Sequence, residues 1–308
     1  MMFPLVGNEK IKNALLSAID SKRVPHAIII EGESGLGKTT LAKFIAKAVL
    51  CLEENVPCNN CKQCHLVDVG SHPDLYCVEP EPKKKNITVD QIRELRIRAY
   101  QKPQMSESSV FLIDRAETLN AQSQNTLLKV LEEPPGNAVF VFLCNNVSSL
   151  LATVISRCIV YSLSDVTPKI AAEYLQSNCS ADSEEIKRAV SLANGNIGRA
   201  LKLFSKDEND TIRQTAETYA KAVFKRDIYE MLKITTQFEK DRVNADRFIY
   251  ELKYVFSKTL KEELSDKAKT KYIVKLIDIT DSLLLPLKTN INLPLLFTNA
   301  AYSYYDCK

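Results

Sequence analysis

Residues 32–39 read Gly-Glu-Ser-Gly-Leu-Gly-Lys-Thr, a full G-x-x-x-x-G-K-T, and they follow directly on the apolar run AIIIE at 27–31. No other stretch restricts the fold as tightly. Such a loop cradles phosphates with backbone N–H groups at the start of a helix, so it needs a strand before it and a helix after it. Both patterns are present: AIIIE is a β-branched run, and residues 39–50 (TTLAKFIAKAVL) repeat apolar positions at helical spacing. The chain has only eight glycines and places three of them here, which argues against a chance match. Gly32, Gly35, Gly37, Lys38, Thr39 and Thr40 are the expected nucleotide contacts. Lys38 reaches the β- and γ-phosphates in such a loop and Thr39 ligates Mg²⁺, so ATP or ADP with Mg²⁺ is the expected cofactor.

The rest of the first half extends this pattern. Near-continuous apolar runs recur at 75–79, 110–114, 139–144 and 158–162, as strands buried on both faces should read. Helical segments separate them. One opens at Thr88 with Gln91 three residues on, a capping-box signature, and another starts at Asn120 and stops at Pro134-Pro135. Alternating strands and helices predict an α/β domain with a parallel sheet over residues 1–164. Strand signals then vanish. Three short helices are expected within 165–206, with the polar run 205–210 as a linker. An all-α domain over 207–308 should hold helices near 210–225, 227–240, 243–264, 267–285 and 291–304.

Hydrolysis needs an acid at the end of a second strand to order the Mg²⁺ shell. Val110–Ile113 is that strand and Asp114 the acid. Many ATPases place glutamate next, to polarise water. Here the residue is Arg115, and arginine is no base at neutral pH. Glu117, three residues from Asp114, is either a substitute for that glutamate or a solvated acid at a helix start, and the second reading is favoured. The pair of motifs therefore argues for binding without efficient turnover.

Of nine cysteines, Cys51, Cys58, Cys61 and Cys64 crowd into one short segment. The spacing C-x6-C-x2-C-x2-C offers four thiolates to one ion, and Zn²⁺ in structural sites favours four tetrahedral sulfur ligands. The segment has few basic residues and no aromatics on which bases could stack, which disfavours a nucleic-acid knuckle. The net charge of +3 gives no electrostatic case for nucleic acid or membranes. No apolar run approaches the roughly 20 residues of a membrane span, so a cytoplasmic protein is expected. Arg157, just before the last strand signal, reads on its own as a surface arginine in a salt bridge.

Five stretches together resemble the bacterial replicative clamp-loader subunits of the AAA+ class. They are HAIIIEGESGLGKTTLAKFIAKAVLC, PCNNCKQCHLVDVGSHPDLYCVEP, TVDQIRELR, VFLIDRAETLNAQSQNTLLKVLEEPPGNAVFVFLCNN and ISRC, in the family's order across most of 1–164. The resemblance implies an AAA+ domain, a helical lid and a C-terminal helical collar that mediates oligomerisation. It implies Zn²⁺ on Cys51, Cys58, Cys61 and Cys64, and Arg157 as a finger aimed at ATP on a neighbouring gamma/tau subunit. Asn145 or Asn146 would sense the γ-phosphate. The implied partners are gamma/tau and delta subunits in a heteropentamer that opens the sliding clamp and closes it around primed DNA.

Two departures from the family's active ATPases matter. Arg115 replaces their glutamate, and Gly198 stands where they carry a lid arginine, with Arg199 one position later. Both favour an interaction subunit that donates Arg157 over a catalytically active gamma/tau-type ATPase. A third reading, a small-molecule phosphotransferase, gives the helical last third no role.

Overall fold

The computed structural model describes residues 3, 5–82, 84–179, 181–204, 206–263, 266–287 and 291–307. The chain divides into two compact units. The first comprises residues 1–170 with 196–198, and the second residues 171–195 with 199–308.

The first unit opens with α1 (Glu9–Asp20), β1 (Ala27–Glu31), α2 (Lys38–Leu50) and α3 (Lys62–Asp68). There follow β2 (Leu75–Val78), α4 (Val89–Ala99), β3 (Ser109–Ile113), α5 (Ala121–Glu132), β4 (Ala138–Cys144), α6 (Ala152–Ile155) and β5 (Ile159–Ser162). The five strands form one sheet in the order β2-β3-β4-β1-β5. Every pairing is parallel, with Ile29 opposite Phe142 and Val160, and Phe111 opposite Phe140. Side chains alternate across the sheet. Ile28, Ile30, Val110, Leu112, Val139 and Val141 pack with α1 and α2 on one face. Ala27, Ile29, Phe111, Ile113, Phe140 and Phe142 pack with α4, α5 and α6 on the other. Tyr76, Phe111 and Phe140 stack in file across three strands, with ring centroids 5.1 Å apart at each step. Because both faces are covered, these strands are apolar at almost every position. Thr88 caps α4 through the full reciprocal box with Gln91, and Asn120 caps α5 through the Ser123 N–H.

The second unit is helical: α7 (Pro168–Asn178, whose first turn belongs to the first unit), α8 (Ser183–Ala193), α9 (Ile197–Lys202, which starts in the first unit), α10 (Lys206–Lys225) and α11 (Ile228–Thr235). The chain then runs through α12 (Arg242–Glu262), α13 (Lys267–Leu287) and α14 (Leu293–Asp306). Helical periodicity leaves open whether the apolar faces of 207–308 close on each other or await neighbours. They close on each other around Tyr219, Phe248, Phe256, Phe297 and Tyr304, all buried. Tyr219 meets Phe248 edge to face, and the Tyr304 hydroxyl finds the Thr280 hydroxyl at 2.8 Å, as a buried phenol requires. The expected linker at 205–210 is helical from Lys206 onward. A run without apolar residues carries no helical periodicity, so the sequence pattern hides this helix start. Ser205, placed in that linker, and Leu264, placed at the end of a helix, lie outside the described residues.

The fold class expected from the sequence, a parallel α/β domain followed by helices, is the one the chain adopts. Among the described residues no helix is long and apolar enough to cross a membrane.

Candidate functional site

The carboxyl ends of β1, β3 and β4 meet at one edge of the sheet, where parallel α/β folds bind ligands. After β1 the chain turns through residues 32–37 into α2. Gly37 caps that helix with φ 88°, a left-handed conformation that favours glycine. Lys38 begins α2 and folds back across the loop. Its ammonium donates to the Gly32 carbonyl at 2.5 Å, to the Glu33 carbonyl at 3.2 Å and to Asn145 Oδ1 at 2.9 Å. Thr39 and Thr40 are exposed on the first turn of α2. Asn145, just beyond β4, is the asparagine that reaches the loop, whereas Asn146 caps the short turn that follows by accepting from the Ser148 N–H at 2.9 Å.

Asp114 follows β3, and its Oδ1 accepts the Arg115 N–H at 2.9 Å. Arg115 sits at φ 53° with an exposed side chain. That left-handed step starts a 3-10 turn over Ala116–Thr118 and swings Glu117 back toward the loop. Glu117 Oε1 accepts from Asn145 Nδ2 at 2.7 Å. The expectation of a solvated acid is therefore corrected: Glu117 is half-buried and joined to Lys38 through Asn145. Burial lowers the Lys38 pKa, and the Glu117 carboxylate is foremost among the charges that oppose the shift.

At the end of α2, Cys51, Cys58, Cys61 and Cys64 bring their sulfurs within 4.8 Å of one another. Cys51 to Cys61 is 3.8 Å and Cys58 to Cys64 is 3.9 Å. Four sulfurs at the Zn–S bond length of about 2.3 Å would lie about 3.8 Å apart at tetrahedral corners. The donor set thus fits one zinc ion. Backbone N–H groups of Cys61 and Cys64 point at the sulfurs of Cys58 and Cys61, at 3.3 and 3.4 Å, which favours thiolates. The Asn60 amide, first among such bonds, brings Cys58 down to about 7, while burial raises Cys64.

Arg157 ends the turn between α6 and β5. Its Nη2 lies 2.6 Å from Glu132 Oε1 and its Nη1 donates to the Thr153 carbonyl at 2.8 Å. The Arg157 side chain keeps a third of its surface exposed, beside a recess lined by His26, Leu131, Glu132 and Ser156. The phosphate loop and Arg157 thus lie on different edges of the first unit: the loop follows β1, while Arg157 precedes β5.

A family model described as DNA polymerase III, delta subunit, matches residues 7–167, more than half of the chain. The chain belongs to that family. It is 37% identical over 177 residues to the DNA polymerase III subunit delta prime of Haemophilus influenzae, covering 57% of this chain and 53% of that one. It is 32% identical over 273 residues to the gamma/tau subunit of Mycoplasma genitalium, covering 80% of this chain and 45% of that one. The chain spans about half the length of these curated relatives. A crystal structure of a gamma subunit-related protein from Thermotoga maritima shares the fold, with a TM-score of 0.53, 20% identity and coverage of 95% and 98%.

Membership in the DNA polymerase III delta subunit family leaves three structural features that the motifs did not announce. Asp74 is fully buried and its carboxylate accepts the backbone N–H groups of Gln104, Met105 and Ser106 at 2.6, 2.8 and 2.9 Å. Ser106 then donates from its hydroxyl to the Leu50 carbonyl at 2.9 Å, one residue before Cys51. Gly198 places its N–H 3.0 Å from the Gly35 carbonyl, and Asn196 donates to the Ser34 carbonyl at 3.1 Å, so residues 196–198 brace the phosphate loop. The third is Glu117. The signals were a buried-type SHPD run, a glycine in a helical segment and an acid three residues after Asp114. Each also fits an ordinary turn.

Proposed function

We propose that this chain is the delta prime subunit of the DNA polymerase III clamp loader. In this role it joins gamma/tau and delta subunits in a cytoplasmic heteropentamer. That complex uses ATP to open the sliding clamp and load it on primed DNA. The reading rests above all on two arginines. Arg115 holds the position after Asp114 where an efficient ATPase carries an acid, and its side chain is exposed in a left-handed turn. Arg157, by contrast, offers a partly exposed guanidinium, oriented by Glu132 and the Thr153 carbonyl, at the surface of the domain. A guanidinium presented in this way is suited to a neighbour's triphosphate.

Within that role, Cys51, Cys58, Cys61 and Cys64 hold a structural Zn²⁺. Gly32, Gly35, Gly37, Lys38, Thr39, Thr40 and Asp114 hold ATP or ADP with Mg²⁺, and turnover at this site is slow. Residues 1–164 act as the AAA+ domain, 165–206 as a lid and 207–308 as the oligomerisation collar. The helical closure around Tyr219 and Phe248 supports the last assignment by giving the collar a core of its own. The alternative, a gamma/tau-type motor, draws on the intact Lys38 and Asn145. Steady-state ATP hydrolysis by the isolated full chain separates the two. The delta prime reading expects a rate far below the roughly 1–10³ s⁻¹ of ordinary enzymes, with strong hydrolysis appearing only when gamma/tau is added. Brisk turnover by the chain alone, abolished by Lys38→Ala, establishes the motor instead.

A further inference from the structure

The position after Asp114 lacks its acid, yet a carboxylate two residues further on turns back to the end of β4. The left-handed Arg115 starts a 3-10 turn, and that turn directs Glu117 to the end of β4. Asn145 there bridges the two sides of the site, donating to Glu117 Oε1 at 2.7 Å and accepting from Lys38 at 2.9 Å. The second carboxylate oxygen, Glu117 Oε2, is shut off from solvent and has no hydrogen-bond partner among the described residues. A buried carboxylate oxygen without a donor is rare and calls for a cause, such as a water or a catalytic role. Among the charges that oppose the effect of burial on the phosphate-loop lysine, the Glu117 carboxylate acts most strongly.

We propose that Glu117, not the residue after Asp114, is the catalytic base of this chain's own nucleotide site, and that the slow hydrolysis left to the site runs through it. The inference rests on the nucleotide-binding part of the reading above. With a Mg²⁺-nucleoside triphosphate bound and Lys38 drawn away from Asn145, Glu117 turns Oε2 out of its enclosed position, and Oε2 accepts a proton from the attacking water as the water oxygen bonds to the γ-phosphorus and the bond from that phosphorus to the β–γ bridging oxygen breaks. Lys38 leaves Asn145 to follow the β- and γ-oxygens. The proton then passes to solvent as ADP and inorganic phosphate depart, so atoms and charge balance with water as the sole co-reactant. Asn145 orients the carboxylate.

The test is single-turnover hydrolysis of γ-labelled ATP by the full chain, paired with binding of a fluorescent ATP analogue. Glu117→Gln keeps an oxygen that can accept from Asn145 but cannot take up a proton. It should lower the hydrolysis constant by about 100-fold, in the range usual for a general base, while affinity stays within about threefold. A readout independent of turnover is the acylation of Lys38 measured by mass spectrometry against pH. Loss of the Glu117 charge should make Lys38 react at lower pH. Wild-type hydrolysis by Glu117→Gln, or no Lys38-dependent hydrolysis in the parent chain, overturns the proposal. Failure of the parent chain to bind the analogue at all overturns the nucleotide-binding reading beneath it.

Discussion

Arg188 Nη2 lies 2.5 Å from Glu251 Oε1, pinning α8 to α12 within the second unit. The guanidinium also covers the Tyr254 ring at 5.8 Å. Glu251 is 4% exposed, and burial raises its pKa against the pull of Arg188. Removing one partner of such a pair strands the other charge, so Arg188→Ala should cost about 3–5 kcal/mol at pH 7. The sign of the pH dependence follows from the raised acid. Its folded form holds a proton that the unfolded chain has released, so its stabilising contribution is complete below the ordinary value near 4.5 and fades as pH rises through the folded value. Without Arg188 that folded value climbs further. Urea denaturation should therefore show a smaller penalty for Arg188→Ala at pH 5 than at pH 7, and an equal penalty would contradict the uncompensated-charge explanation.

The sulfur geometry of Cys51, Cys58, Cys61 and Cys64 predicts about one zinc per chain by elemental analysis of reduced, purified protein. Cys64→Ser should abolish the stoichiometric metal and lower the melting temperature, since a structural zinc contributes folding free energy directly. A metal-free chain that melts at the same temperature as the metal-bound one would rule out a structural ion.

Asp74 predicts a coupling between a buried carboxylate and that metal loop. Asp74→Ala leaves the Gln104, Met105 and Ser106 amides without their acceptor, at a cost of about 2–4 kcal/mol. Because Ser106 holds the Leu50 carbonyl beside Cys51, the variant should also release zinc to a chelator faster than the parent. Chelator kinetics unchanged from the parent would confine Asp74 to a local role.

Gly198 is tied to the phosphate loop by space rather than by charge. A Cβ there would lie 2.5 Å from the Gly35 carbonyl oxygen and 2.6 Å from its Cα, both backbone atoms. Gly198→Ala must displace the loop, and overpacking of this kind costs about 1–3 kcal/mol. Nucleotide affinity should fall roughly 5- to 100-fold although residue 198 touches no phosphate. Binding indistinguishable from the parent would show that the loop accommodates the methyl group freely.

Most of the frame could be read from the chain because its signals are local. The run AIIIE forms β1 over the same residues, and Thr88 and Asn120 cap the helices they announce. The cysteine spacing is enough to bring four sulfurs together. What sequence patterns miss depends on tertiary placement. Glu117 reaches Asn145 only because Arg115, a non-glycine residue, takes φ 53°, and no residue type predicts that. Asn145 and Asn146 are adjacent and alike, and only the exit of β4 decides that the first meets Lys38 while the second caps a turn. The segment from Lys206 reads as a linker because its polar run carries no apolar periodicity, yet it is the start of α10. The apolar stripes of α10, α12 and α14 fix helices but not partners, and the partners prove to be one another.

The trans-acting role proposed for Arg157 meets its most direct test in a clamp loader reconstituted from this chain with gamma/tau and delta subunits. Arg157→Ala removes a half-exposed ion pair worth about 0–1 kcal/mol, so the chain should fold and the complex should assemble. DNA- and clamp-dependent ATP hydrolysis should fall, with the site facing Arg157 losing on the order of 10³ in rate. An assembled complex that hydrolyses ATP at the parental rate would contradict the finger role.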